Sequence, residues 1–202
     1  MNPAIDRIAR PPPMPLQTNG LVEHGADGTL QAFLRPGDWL FGGGPVTVRT
    51  LLGSCVSVVL WSPAHRMGGL CHGLLPRRRV PAASGLDGRF LEEATAWLEA
   101  RLASQGIGGD ALRASVFGGA GAGPASIGAG NVAWARAWLQ QRRLPVEQMD
   151  VGGRVLRRLT MTLDAGVVNV AHGGPWAALE EQPWARRAAP DRSSRRSPRV
   201  VP

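Results

Sequence analysis

The sequence has no lysine and no tyrosine, and it contains only two cysteines, Cys55 and Cys71, among 202 residues. A disulfide framework, or a zinc site built from thiolates, needs more cysteines than this. We therefore predict free thiols in a reducing compartment, and we expect neither a metal nor any other cofactor.

Long apolar runs are also absent. No stretch of about 18 uncharged apolar residues occurs, although a membrane-spanning helix would need one. The first residues include Asp6 and three consecutive prolines at positions 11–13, where a secretory signal would need an uninterrupted apolar segment. The sequence predicts a soluble, cytoplasmic protein that does not insert into a membrane.

The positive charge is concentrated at the end of the chain. The formal net charge is +8, and all 23 basic residues are arginine. Six arginines follow Trp184, with Asp191 as the one acidic residue among them, so the preceding chain is only mildly basic. We therefore do not expect the folded part to bind nucleic acid. Binding through the tail stays as an alternative, and it would depend steeply on salt concentration.

Composition divides the chain into three parts. Residues 1–23 are rich in proline and lack apolar periodicity, which predicts a flexible N-terminal segment. Residues 173–202 combine arginine, proline and serine, which is typical of a disordered tail. Residues 24–172 alternate β-like runs with two amphipathic stretches. We predict a single catalytic domain in this range.

Periodicity within that domain predicts an α+β fold. Apolar residues at helical spacing predict helices at residues 88–105 and 131–142, the second one capped by Ser126 or Asn131. Short β-branched runs predict strands at residues 46–50, 55–61, 66–76, 112–117, 146–151, 155–163 and 167–171. We expect a single-domain α/β sandwich in which a mostly antiparallel mixed sheet is covered by two main helices.

The strands at residues 55–61 and 66–76 are predicted to form a hairpin. Pro63 and Ala64 supply turn chemistry between them. A turn centred on these two residues places Cys55 opposite His72, with Cβ atoms about 4.5–5.5 Å apart on one side of the sheet. A bulge or a longer turn would change this register. The spacing thus predicts a contact between a thiol and an imidazole.

A thiol beside an imidazole is typical of a cysteine nucleophile and its base. A thiol with a pKa near ~8.5 needs a neighbouring histidine or positive dipole to react at neutral pH. Gly53 and Ser54 form a turn directly before Cys55, so backbone N–H groups there are candidate donors to an oxyanion. A strand cysteine is more often a small apolar core residue. We give that interpretation to Cys71, which the same register places on the opposite face.

A glycine-rich segment at residues 118–123 follows one predicted strand and precedes a helix. Phosphate-binding loops have this placement. The segment lacks the Lys-Ser/Thr pair of such a loop, and no acidic residue ends a following parallel strand. We favour the interpretation that these glycines let the backbone pass close to the active site or to a partner.

Two groups of short motifs occur in order along the chain. The first group surrounds the cysteine and the histidine and comprises residues 50–56 (TLLGSCV), 61–63 (WSP), 68–69 (GG), His72 and 74–76 (LLP). The second comprises residues 117–120 (FGGA), 127–128 (IG) with Asn131, and 150–153 (DVGG). In this order the motifs resemble the CheD family, the chemoreceptor glutamine deamidases. The resemblance extends over residues 35–170.

The resemblance implies a cysteine–histidine–threonine site at Cys55, His72 and Thr50. Thr50 would either orient His72 or contact the substrate amide, and the sequence leaves both roles open. The implied reaction converts glutamine side chains to glutamate and releases ammonia through a cysteine thioester. The implied substrates are the cytoplasmic regions of methyl-accepting chemotaxis receptors, and a CheC-type phosphatase is an implied docking partner.

A function of another class also fits the sequence. A non-catalytic chemotaxis adaptor could bind the receptor or the phosphatase with the same fold. An adaptor has no need of a thiol beside an imidazole, so Cys55 and His72 favour the enzyme. Residues 77–79 (RRR) follow His72 closely and form either a solvated loop or a contact for an acidic receptor segment.

Overall fold

The computed structural model describes residues 15–25, 28–79 and 85–173. This part of the chain forms eleven β-strands and two α-helices, with a short 3-10 helix at Gly109–Ala111. The elements are β1 (Gln17–Thr18), β2 (Leu21–His24), β3 (Leu30–Leu34), β4 (Trp39–Gly43), β5 (Val46–Leu52), β6 (Val56–Ser62), β7 (Met67–Cys71), α1 (Leu91–Ser104), β8 (Arg113–Gly118), α2 (Ile127–Arg142), β9 (Val146–Val151), β10 (Leu156–Thr162) and β11 (Val167–Gly173).

The strands divide between two mixed sheets. Sheet A has the order β1-β4-β7-β6-β8-β9, and sheet B has the order β11-β10-β5-β3-β2. Neighbouring strands are antiparallel except for the pairs β8–β9 and β3–β5. The predicted α+β class, the mostly antiparallel pairing and the two main helices are confirmed, and the predicted sheet is in fact a pair of sheets.

Sheet A lies between the helices and sheet B, so the domain has three layers and two cores. Val58 of β6 packs with Leu98 of α1 and Trp138 of α2 in the core on the helical side. Val59, the next residue of β6, packs with Val48 of β5 in the core between the sheets. Successive strand residues point to opposite faces, so the apolar run of β6 serves both cores.

The alternation in β5 has a direct bearing on the candidate site. Val46, Val48, Thr50 and Leu52 are buried, and the residues between them are half-buried. Three of the four buried residues are aliphatic and fill the core between the sheets. Thr50 takes the remaining inward position, so a hydroxyl lies where a purely structural strand would present an apolar side chain.

Local sequence signals support both helices. Ser126 is the N-cap of α2, and its side chain accepts a hydrogen bond from the Ala129 amide at 3.2 Å. The helix ends at Arg143, which has a left-handed φ of 54°. In α1, Glu92 and Glu93 lie in the first turn, where the helix dipole favours acidic side chains. Of the two caps considered for the second helix, Ser126 is the one observed.

Strands β1 to β4 were not predicted. β1 and all of β2 except His24 lie within the N-terminal segment predicted to be flexible, and the two strands pair with β4 and β3 respectively. Residues 1–14 and 174–202 fall outside the described residues, and so does nearly all of the predicted arginine-rich tail with its proposed nucleic-acid contact. Neither helix among the described residues is long and apolar enough to cross a membrane.

Candidate active site

The hairpin of β6 and β7 corrects the predicted register. Val59 pairs with Leu70 in the ladder, and Val56 pairs with Gly73 through two hydrogen bonds of 2.9 Å. On this register Cys55 lies opposite Leu74, two positions away from the predicted partner, His72. The prediction was wrong because the turn spans four residues, 63–66, instead of being centred on the first two.

Arg66 explains the longer turn. It adopts a left-handed φ of 51°, which closes a four-residue loop. The Ser62 hydroxyl and His65 Nδ1 lie 2.9 Å apart across the same loop. The sequence signal at Pro63 and Ala64 marked the turn correctly but not its length.

The displacement is an even number of residues, so Cys55 and His72 still share one face of sheet A. They form a diagonal pair, whose Cα atoms lie about 7–8 Å apart in a regular sheet, with Cβ atoms somewhat closer. Two observations agree with this placement. Cys55 packs against the core between the sheets, and the ring of His72 reaches Thr50 in sheet B.

Thr50 and His72 form the central polar contact of this site. Thr50 Oγ1 lies 2.7 Å from His72 Nδ1 and donates a hydrogen bond to the carbonyl oxygen of Leu34 at 2.8 Å. Parallel pairing of β3 with β5 places Leu34 beside Thr50. Both side chains are about 1% exposed. The contact therefore joins the two sheets inside the protein.

The hydrogen-bond pattern selects one tautomer of His72. The single hydrogen of the Thr50 hydroxyl is directed to Leu34, so this hydroxyl accepts at His72 Nδ1. The Leu34 carbonyl oxygen also lies 3.4 Å from Nδ1. Two acceptors around Nδ1 require a proton there, which leaves the lone pair of a neutral ring on Nε2. Nε2 is buried and has no hydrogen-bond partner among the described residues, so it is available as a base.

Burial moves the pKa values of His72 and Cys55 apart. Desolvation lowers the pKa of His72 from 6.5 to about 4, although the hydrogen bond to the Leu34 carbonyl opposes this shift. Desolvation also raises the pKa of the partly buried Cys55 thiol, while its own backbone N–H and the Ser54 hydroxyl act in the opposite direction. At neutral pH the resting pair is therefore a neutral imidazole and a protonated thiol.

The loop before Cys55 is held from one side by the glycine-rich segment. The carbonyl oxygens of Gly53 and Cys55 accept hydrogen bonds from the amides of Ala120 and Gly119, each at 2.7 Å. Ser54, at the tip of the turn, is exposed. The two predicted support residues thus lie next to the thiol, and their position depends on contacts that are distant in sequence.

These contacts also decide between the two interpretations of residues 118–123. The amides of Gly119 and Ala120 are engaged by protein carbonyls, and the Gly121 amide donates to Gly153 at 2.8 Å. They are therefore not free to hold a phosphate. Gly118 has a φ of 105°, and a Cβ atom there would overlap the carbonyl oxygen of Cys55. The glycines permit close approach of the backbone to the candidate nucleophile.

Asn131 is a site residue that the sequence marked only as a family motif and a helix cap. It lies inside α2, fully buried, and its Nδ2 donates to the carbonyl oxygens of Ser54 at 3.0 Å and Leu74 at 2.8 Å. These acceptors flank Cys55 and His72 in sequence. The available signal was a lone asparagine on the apolar face of a predicted helix.

Cys71 lies on the other face of sheet A from Cys55. It is fully buried in the core on the helical side, and its Sγ is 3.9 Å from the Val58 carbonyl oxygen. Desolvation raises its pKa to about 11. Cys71 is therefore a buried core residue, and its thiol is far less reactive than an exposed one.

An ion cluster ties the ends of β9, β10 and β11 together close to this loop. Arg157, which is 3% exposed, contacts Asp150 Oδ1 at 2.8 Å, and His172 Nε2 lies 2.7 Å from Asp150 Oδ2. Arg157 also pairs with Leu52, directly before Gly53. The cluster links sheet A to sheet B beside the turn. No group of three or more histidine, cysteine or acidic side chains suited to a metal ion occurs within the described residues.

The domain therefore places a half-buried thiol and a neutral imidazole on one face of sheet A, with Nδ1 of the imidazole held by a hydroxyl. This arrangement is of the class used by hydrolases that attack a carbonyl through cysteine. Residues 74–172 match the family model described as CheD chemotactic sensory transduction. The matched range begins after Thr50, Cys55 and His72, so the assignment of these three residues depends on the geometry.

Three relatives extend the comparison. The probable chemoreceptor glutamine deamidase CheD 3 of Dechloromonas aromatica is 38% identical over 147 residues, which cover 70% of this chain and 86% of that protein. CheD 1 of Chromobacterium violaceum, with the same description, is 34% identical over 161 residues, which cover 76% of this chain and 83% of that protein. CheD of Methanococcus maripaludis is 29% identical over 145 residues, which cover 69% of this chain and 94% of that protein. The chain belongs to the CheD family.

Proposed function

We propose that this protein is a protein-glutamine deamidase that converts glutamine side chains of methyl-accepting chemotaxis receptors to glutamate in the cytoplasm. The relatives described as chemoreceptor glutamine deamidases support the reaction and the substrate. The observation that carries the mechanism is the free Nε2 of His72, on the same face as Cys55, with Nδ1 held by Thr50. In this proposal Thr50 orients the base and does not contact the substrate.

The first half of the reaction acylates the enzyme. Cys55 Sγ attacks the carboxamide carbon of the glutamine, and its proton moves to His72 Nε2 as the S–C bond forms. Because the thiol and the imidazole both rest in their neutral forms, proton transfer accompanies the attack. The carbonyl electron pair then returns, the C–N bond breaks, and His72 gives its proton to the departing ammonia.

The second half releases glutamate. Water adds to the thioester carbon while His72 Nε2 takes a proton from it. The C–S bond then breaks, the sulfur is reprotonated, and the product leaves as a carboxylate. No oxidant, reductant or cofactor is needed for this balance. The developing oxyanion in each half needs donors, and the N–H groups of Ser54 and Cys55 are the nearest candidates.

We further propose that the receptor segment occupies the groove between α1 and α2. The groove has a volume of about 1170 Å³, and Leu75, Phe90 and Trp134 provide apolar walls. Arg77 and Arg79 also line it; both are exposed and form no ion pair with the described residues. Exposed guanidinium groups beside apolar walls suit an amphipathic, acidic segment.

One end of the groove adjoins the residues that Asn131 links to the segment before Cys55. Its lining includes Leu75 and Gly130, which follow Leu74 and precede Asn131 in sequence. Leu74 and Asn131 are joined by the 2.8 Å hydrogen bond, and Asn131 also contacts the residue before Cys55. A segment in the groove would therefore lie next to the Asn131 contacts, on the helical side of sheet A.

Membership of the family also suggests a second partner and a competing function. A CheC-type phosphatase is the second partner that we propose. The competing function is a non-catalytic adaptor that binds receptor or phosphatase through the same surfaces. An adaptor would not need the Thr50–His72 contact, which buries a hydrogen-bonded polar pair between the two sheets.

The test is direct. The purified full chain is incubated with the cytoplasmic fragment of a chemoreceptor, ammonia is measured, and each glutamine is followed by peptide mass spectrometry. We expect conversion of particular glutamines to glutamate by the wild type and by Cys71→Ala, and no conversion by Cys55→Ala. A wild type that binds the fragment but changes no glutamine would support the adaptor instead.

A further inference from the structure

Asn131 connects the segments that carry the two reactive side chains. Its side-chain amide uses both hydrogens, one on the carbonyl oxygen of Ser54 and one on that of Leu74. These acceptors lie 77 and 57 residues away in sequence. One buried group of α2 thus holds the loop before Cys55 against the chain that follows His72.

The contact at Ser54 fixes the direction of the next N–H group. The described residues contain no cis peptide bond, and in a trans peptide the C=O and N–H groups point in opposite directions. The Ser54 carbonyl oxygen points to Asn131, so the Cys55 N–H points away from α2. It donates to no other backbone group in the described part of the chain, and it lies close enough to its own thiol to affect the pKa of Cys55.

The flanking peptides are fixed independently. The carbonyl oxygens of Gly53 and Cys55 accept hydrogen bonds from the amides of Ala120 and Gly119. The Val56 amide donates to the carbonyl oxygen of Gly73. The peptide between Ser54 and Cys55 is therefore held through Asn131, whereas its neighbours are held by backbone groups. Loss of the Asn131 amide would release this peptide and the Leu74 carbonyl oxygen, and it would leave the other peptides of the loop before Cys55 in place.

We propose that Asn131 is a positioning residue that aims the Cys55 N–H at the oxyanion formed on the substrate carbonyl. The proposal rests on the deamidase function proposed above and adds a residue to it. When sulfur bonds to the carbonyl carbon, the carbonyl oxygen must lie close to Sγ. An N–H group beside Sγ is therefore within reach of that oxygen. A donor that is already oriented stabilises that charge without reorganisation.

The variants Asn131→Leu and Asn131→Ala test this role, with Asn169→Asp as a control on the exposed side of β11. Two rates are compared for each folded variant: kcat for deamidation, and the rate at which iodoacetamide alkylates Cys55. Alkylation replaces iodide at a saturated carbon and forms no oxyanion. We expect kcat to fall about a hundredfold or more, as for loss of one oxyanion donor, with KM and the alkylation rate changing much less.

Equal losses in the two rates would show a merely structural role and overturn the proposal, as would full activity in either variant. A measurement on the wild type does not depend on variant folding. The probe is a receptor peptide with an aldehyde in place of the carboxamide. The Cys55 thiol adds to this aldehyde and forms a hemithioacetal, and the Cys55 amide proton should then move downfield in the NMR spectrum. An unmoved proton would overturn the proposal. A wild type that deamidates nothing would instead remove the proposed function.

Discussion

Thr50 Oγ1 lies 2.7 Å from His72 Nδ1 and joins two sheets that have no hydrogen-bonded strand pair in common. The contact crosses the core between the sheets, which is built mainly from apolar side chains. It fixes the ring orientation and the tautomer of His72 together, since the same hydroxyl donates to Leu34. The proposed catalytic role of His72 follows from this contact.

Removal of the Thr50 hydroxyl should slow the reaction. Thr50→Val keeps the shape of the side chain but leaves the Nδ1 proton with only the longer contact to Leu34. We expect kcat to fall about tenfold or more, since general base catalysis contributes about 10²–10⁴-fold. The folded state should lose about 1–2 kcal/mol, the usual cost of a lost buried hydrogen bond. Steady-state kinetics and urea unfolding measure both.

Thr50→Ser is the matched variant because it restores the hydroxyl and omits only a methyl group. It should recover most of the kcat lost in Thr50→Val. If the two variants were equally slow, the hydroxyl would not be the group that orients His72.

The pH dependence should reflect the low pKa of His72. Burial lowers this pKa to about 4, so the imidazole stays neutral and able to accept a proton as the pH falls from 7 to 5. Deamidation should therefore persist at pH 5, and kcat/KM should fall only as the pH approaches about 4. An acid limb centred near 6.5, the ordinary histidine value, would contradict this assignment.

At alkaline pH, the rate at which Cys55 is alkylated should reflect the ionisation of its thiol. Burial raises the pKa of Cys55 above the ordinary value of 9.0, so the rate of alkylation by iodoacetamide should still increase with pH beyond 9. Because kcat/KM and alkylation titrate different groups, their profiles should differ in shape. The comparison uses one protein and needs no variant.

Gly118 should be needed for the shape of the loop that carries the thiol. Its φ is 105°, and a Cβ atom would overlap the carbonyl oxygen of Cys55. Gly123 has a similar φ of 97° but no atom within 4 Å of a Cβ position. Both alanine variants should lose about 1–3 kcal/mol through backbone strain, and only Gly118→Ala should lose most of its activity.

Thermal unfolding and kcat separate these two effects. Unimpaired deamidation by Gly118→Ala, or an equal loss of activity in Gly123→Ala, would contradict the role of the close contact.

Charge reversal in the groove should weaken substrate recognition. The double change of Arg77→Glu and Arg79→Glu places acidic groups where we propose an acidic receptor segment, so KM for the receptor fragment should rise and kcat should change little. Arg113→Glu is the control, since Arg113 is exposed at the opposite end of β8 from Gly118. Binding of the fragment by fluorescence anisotropy gives the same comparison without turnover, and unchanged binding would remove the groove from the account.

The local parts of this architecture could be read from the sequence. The strands from β5 onward and both helices follow from β-branched runs and apolar spacing. The sequence predicts no strand at β3, although the apolar residues Leu30, Ala32 and Leu34 lie at strand spacing. β4 holds two glycines, which weaken a strand signal.

The site was predictable only in part because its contacts are long-range. The Cys55–His72 spacing depended on one local turn, and an error of two residues in the register preserved the shared face. Thr50 reaches His72 from a different sheet, and Asn131 reaches Ser54 from a helix 77 residues away. Such contacts depend on how the layers stack, which strand periodicity does not specify.

In the proposed reaction, a receptor glutamine acylates Cys55. The most direct test of this step is acid quenching of the wild type during turnover of a glutamine-containing receptor peptide, followed by mass spectrometry of the intact protein and its fragments. We predict an adduct equal to the peptide less ammonia, located on the fragment that contains Cys55 and absent from Cys55→Ala. An adduct on another residue, or deamidation by Cys55→Ala at the wild-type rate, would contradict the account.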